Sequence, residues 1–260
     1  MDACLQLARL ALVVALLVWP ALAQGESDKR VQIAYAYMTG QPDRYDEVVD
    51  DLRRIANEMS NIVDRSAHKT GGHRHIRFVM NEAGQVAVDR IEMNHPIYIP
   101  TRMRELGYDS PDRKYIVFVD IALYCGFAIP IEPEGVGYGV VGRRCWEERT
   151  ALHELMHLFG AVAHAAPNAT GGLHCTDMHD IMCGSDYPHY PSMRYLCPPS
   201  HWQLLDCNDD DYFHTNPPAG SFLAENPGAN VANSSFLTDE ERRFYLPLVM
   251  TNEKGELWTR

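Results

Sequence analysis

The sequence predicts an α/β protein, with a mixed twisted sheet carrying helices, followed by a small irregular segment pinned by disulfides. Three observations carry this. Strand-like and helix-like periodicities alternate over residues 31–160. Residues 114–120 form a nearly continuous apolar run, as expected of a central strand buried on both faces. Beyond Gly160 the chain is dominated by turn residues, Pro, Gly and Cys.

In chain order, residues 31–37 alternate well enough for a first strand. Residues 43–66 show helical spacing at Val48, Leu52, Ile55, Met59 and Ile62, with Asp43 as the expected N-cap. Residues 75–80 and 86–92 are expected as strands joined around Asn81 to Gln85, and residues 101–106 as a short helix. Residues 135–141 are expected as an edge strand, after which Cys145 leads into an apolar helix at residues 151–160. Residues 245–250 form an apolar stretch of unassigned role.

Residues 1–23 read as a signal peptide. Arg9 precedes an apolar run up to Trp19, and Ala21-Leu-Ala23 forms an A-x-A-like cleavage site. The apolar run is short for a membrane span, so the expectation is an exported, extracellular protein with no stable membrane association. The division that follows is residues 24–160 as an N-terminal lobe and residues 161–260 as an irregular C-terminal lobe. A net charge of −12 argues against nucleic acid and anionic membranes as partners. Of seven cysteines, Cys4 leaves with the signal. The other six fall in three sequential pairs with short spacings, and the expected bridges are Cys125–Cys145, Cys175–Cys183 and Cys197–Cys207.

The chemistry concentrates in His153-Glu154-x-x-His157. Residues four apart lie on one helix face, so both imidazoles can address a single metal ion. Zinc suits two neutral imidazoles, keeps a position open for water and lowers that water's pKa to about 7. Glu154 can reach such a water without binding the metal, which is the position of a general base. Leu152, Leu155, Leu158 and Phe159 give the helix an apolar face, so the histidines should face a cleft. Other clusters are weaker. His68, His73 and His75 read as a polar loop entering a strand. Asp206, Asp209, Asp210 and Asp211 form an acidic run that could hold calcium, although its spacing is not that of an EF-hand.

Gly160, three residues after His157, and Asp180-Ile-Met-Cys-Gly184 together resemble the H-E-x-x-H-x-x-G segment and Met-turn of metzincin peptidases. The wider segment, about residues 145–225, resembles a group of secreted bacterial metzincin-like metallopeptidases. The resemblance implies a zincin-type α/β fold and zinc-dependent hydrolysis of peptide bonds in a peptide or protein substrate. It also implies that Met182 forms an apolar floor under the metal. Two positions depart from the pattern. Gly184 stands where many metzincins carry a tyrosine, and Ala163 stands where the third histidine is expected.

His174 is the preferred third ligand, ahead of His164 and then Asp177. His164 is one residue beyond the expected place, and in an extended chain that shift turns a side chain to the opposite face. His174 needs only a longer excursion, and residues 165–172 have loop composition. A Cys175–Cys183 bridge would also hold His174 near Met182. The rival readings are a catalytically inactive secreted module that retains zinc, or a zincin of another clan with an aspartate third ligand.

Overall fold

A computed structural model describes residues 28–95, 98–122, 124–130, 133–186 and 191–240, with the backbone of 250–251 and 257–258. The signal-peptide expectation for residues 1–23 lies outside the described residues, as does most of the stretch 245–250.

The centre is a five-stranded mixed sheet in the order β3-β1-β4-β6-β5. Its strands are β1 (Arg30–Met38), β3 (Val88–Met93), β4 (Arg113–Val119), β5 (Gly126–Ile129) and β6 (Gly137–Gly142). Strands β3, β1, β4 and β6 run parallel, while β5 pairs antiparallel to β6. Because strand side chains alternate between faces, β1 and β4 feed two separate cores. Val31, Ile33, Tyr35, Ile116 and Phe118 face α1 (Tyr45–Lys69) and α3 (Glu148–Leu158). Ala34, Ala36, Val117 and Val119 face α2 (Ile99–Glu105) through Ile99 and Met103. A three-layer arrangement results, with α1 and α3 sharing one face. At the C-terminal ends of β1 and β4, Asp120 accepts from the Arg44 guanidinium and from the Tyr35 hydroxyl, which ties the start of α1 to the sheet.

The central placement of residues 114–120 agrees with their apolar run, because β4 lies between β1 and β6 and all but its first residue are buried. Four expectations need correction. Helix α1 starts at Tyr45 with Arg44 at the N-cap, and Asp43 instead accepts from the Tyr45 N–H one residue further out. Residues 75–80 do not form one strand. Only β2 (His75–Ile76) is regular, and it pairs with β7 (Leu237–Thr238) near the far end of the described chain. The expected pairing across residues 81–85 reduces to a single Met80–Val86 bridge, since β3 crosses over to lie parallel to β1. Finally, β6 is not an edge strand. Its neighbour β5 occupies the edge, and β6 is buried along its whole length.

Beyond α3 the described chain is mostly turns and short 3-10 segments, with one short helix, α4 (Phe222–Glu225), and three two-residue strands, β7 and the antiparallel pair Met250–Thr251 and Leu257–Trp258. It folds back on the first half, with Phe236 stacked on Phe159 and Tyr212 and Phe213 buried in the same core as α1. Three disulfides are present, Cys125–Cys145, Cys175–Cys183 and Cys197–Cys207. No helix among the described residues is long and apolar enough to cross a membrane.

Candidate metal centre

Helix α3 supplies the first part of the centre. It ends in a Schellman arrangement in which Gly160 takes φ +82°, its N–H bonds to the His157 carbonyl, and the Ala161 N–H bonds to the Met156 carbonyl. Only a residue without Cβ takes that conformation cheaply, so Gly160 is where the chain turns off the helix. One turn apart on the same face, His153 and His157 bring their Nε2 atoms to 3.1 Å.

The third imidazole comes from a separate segment. His174 places its Nε2 3.1 Å from that of His153, and its ring centroid is 4.9 Å from that of His157. The segment is held on both sides. The Thr170 N–H donates to the His174 carbonyl, the Cys175 N–H donates to the Met182 carbonyl, and the Cys175–Cys183 bridge closes the loop. Met182 is wholly buried, and its N–H donates to Asp180 Oδ1. Asp180 also accepts from the Tyr212 hydroxyl and the Cys207 N–H, so this buried carboxylate organises the whole turn.

His164 is exposed and stands apart from this cluster. Asp177 is buried, but it groups with Asp210 and Asp211 rather than with the histidines. The acidic run at 206–211 does not converge as one site. Asp206 turns inward and accepts the backbone N–H groups of Asp210, Asp211, Tyr212 and Phe213, while Asp209 pairs with Lys69.

The hydrogen bonds test whether the imidazoles fit a metal. His153 Nδ1 lies 2.8 Å from the Ile181 carbonyl oxygen, which can only accept, so Nδ1 carries the proton. His174 Nδ1 contacts Asp186 Oδ1, which fixes the same tautomer. Both Nε2 atoms, 3.1 Å apart, are therefore free to present lone pairs to a single cation. Ring protonation is a poor substitute, because burial holds His153 down at about 4, and burial with the neighbouring histidines holds His157 at about 2. The set is three imidazoles, two of them oriented by a carbonyl or a carboxylate, and it matches zinc.

Glu154 is 5% exposed, and burial pushes its carboxyl up to about 8. A cation close by acts in the opposite direction and favours the carboxylate. Its space is made by glycines. A Cβ at Gly126 in β5 would lie 2.4 Å from Glu154 Oε1, and one at Gly139 in β6 would lie 3.0 Å from Glu154 Cβ.

Asp186, the Ile181 carbonyl and Gly126 were not identified from sequence. Only Gly126 carried any local signal, as a glycine directly after a disulfide cysteine.

No protein-family model matches the sequence, and no curated protein matches it. Among solved structures the chain is similar to wild-type OgpA from Akkermansia muciniphila, at 14% identity and TM-score 0.37, covering 74% of this chain and 66% of that one. It is also similar to catalytically inactive OgpA from the same organism in complex with an O-glycopeptide, glycodrosocin, at 12% identity and TM-score 0.36, covering 74% and 65%. The chain thus spans just under two thirds of the length of those chains. Likeness this distant bears on neither the chemistry nor the substrate.

Proposed function

We propose that this chain is an exported zinc-dependent metalloendopeptidase. The observation that carries the reading is the convergence of three imidazole Nε2 atoms beside a buried glutamate one residue from the first of them. His153, His157 and His174 would hold the zinc, whose bound chemistry is to polarise the scissile carbonyl and lower the pKa of water. Glu154 takes a proton from the attacking water at its carboxylate. As the carbon–oxygen bond forms and the carbon–nitrogen bond breaks, it returns that proton to the leaving amine. Asp186 and the Ile181 carbonyl keep the His174 and His153 rings in the tautomer that leaves Nε2 free. Met182 is packed into the turn that carries His174 and acts as an apolar support. Strand β5, beside Glu154, is one of the two edges of the five-stranded sheet, a place where an extended peptide can add its own backbone hydrogen bonds. Three disulfides accord with an oxidising, extracellular location.

The direct test is metal analysis of the purified mature protein, together with cleavage of a generic protein substrate with and without chelator. About one zinc per chain and chelator-sensitive cleavage are expected. Zinc without any cleavage would favour the inactive-module reading, and absence of bound zinc would overturn the centre itself.

Two further outcomes follow from the local geometry. Asp186→Asn should weaken zinc binding by about 10- to 100-fold, the usual effect of losing a ligand's supporting carboxylate, and competition against a chromophoric chelator measures it. Gly126→Ala should drive a methyl group into the Glu154 carboxylate. Displacing a catalytic group by about 1 Å costs on the order of 10²-fold. The variant should therefore keep its zinc and lose turnover, and unchanged turnover would show that Glu154 has room to move.

A further inference from the structure

We infer that Asp177, Asp210 and Asp211 form a calcium site, distinct from the histidine centre and from the acidic run as it reads in sequence. One carboxylate oxygen from each lies within 4.8 Å of the others, close enough for a single cation with calcium–oxygen distances of about 2.3–2.6 Å to touch all three. Asp177 is 0% exposed, and neither of its carboxylate oxygens accepts a hydrogen bond. The Arg194 guanidinium pairs with this carboxylate, its Nη2 lying 2.7 Å from Oδ1 without hydrogen-bond alignment. That guanidinium is about half exposed and also contacts Asn168 Oδ1 and Thr176 Oγ1. An isolated buried carboxylate oxygen is costly, and a cation is the natural way to satisfy it.

The charges agree with a divalent ion. Three carboxylates against one guanidinium leave two negative charges. The donors are all oxygen, which selects a hard cation over zinc. The surrounding backbone is irregular loop, which suits calcium's flexible coordination better than the strict octahedron of magnesium. Asn168 completes the enclosure, its backbone N–H donating to Asp211 Oδ1 at 2.8 Å and its Nδ2 to Asp210 Oδ1 at 3.3 Å. A calcium ion here joins two stretches of chain, the segment three residues beyond His174 and the loop after Cys207, and Asn168 hydrogen-bonds the loop leaving α3 to two of the same carboxylates. The site does not depend on the zinc reading.

The experiment uses the full mature protein, stripped with EGTA and titrated calorimetrically with CaCl2, with thermal melts recorded in both conditions. One calcium per chain is expected, with a higher melting temperature in CaCl2. Asp177→Asn and Asp211→Asn should weaken binding by at least tenfold. Asp209→Asn, in the same acidic run but paired with Lys69, should bind like wild type. Should Asp177→Asn fail to fold, the less buried Asp210→Asn carries the test. It should melt no lower than wild type in EGTA, where one repelling charge has gone, and lower than wild type in CaCl2. The inference is overturned if wild type takes up no calcium, if zinc rather than calcium fills the site, or if Asp209→Asn weakens binding as much as Asp211→Asn.

Discussion

Replacing Glu154 by glutamine is expected to lower peptide hydrolysis by about 10²- to 10⁴-fold while zinc stays bound, the range that general base catalysis supplies. The substitution keeps the shape of the side chain in a pocket bounded by Gly126 and Gly139, and it removes no imidazole. Loss of turnover therefore reports the proton acceptor alone. The measurement pairs turnover on one peptide substrate with zinc content on the same sample. A fall of only a few fold would assign the proton transfer to another group, and a fall in zinc content would mean that Glu154 supports the metal rather than the water.

The second large effect concerns the third imidazole. His174→Ala should abolish stoichiometric zinc and with it all hydrolysis, whereas His164→Ala should leave both near wild type. The difference rests on position: His174 Nε2 lies 3.1 Å from His153 Nε2, and His164 is exposed outside the cluster. Removing His174 leaves a two-imidazole site, short of the three protein ligands usual in catalytic zinc sites. Zinc titrations of the two variants side by side decide it. Retention of tight zinc by His174→Ala together with its loss in His164→Ala would make the centre a metzincin triad stretched by one residue.

What was legible in the sequence was what is local or periodic. The apolar positions of α1 recur every three to four residues, and Leu52, Ile55, Met59 and Ile62 are all buried. The run in β4 has no polar face because both of its faces are covered. The His153–His157 pair is a one-turn relation that any helix satisfies. What was not legible depends on contacts distant in sequence. Strand β5 is only four residues long and carries too few alternations to signal itself. The expectation of an edge strand at β6 failed for the same reason, since its glycines sit where distant neighbours come close. A Cβ at Gly137 would lie 2.9 Å from Leu158 Cδ2, and one at Gly139 would lie 2.6 Å from Ile116 Cδ1. Asp186 meets His174 only after twelve intervening steps of irregular chain, where no periodicity points. In the acidic run, four neighbouring aspartates look equivalent in sequence, but burial and backbone donors send them to three different tasks.

The segment that presents His174 is fixed by its own fastenings: the backbone bond from Thr170, the bond from Cys175 to Met182, and the Cys175–Cys183 bridge. None of these reaches back to the helix through the exposed His164 and Ala165. The histidine is therefore located by its anchors and not by the number of residues that separate it from His157. Insertions or deletions around His164 change the length of the detour without moving the imidazole. A search that demands a fixed gap between the second and third histidines would pass over this chain, and over any other that carries its third imidazole on an independently moored loop.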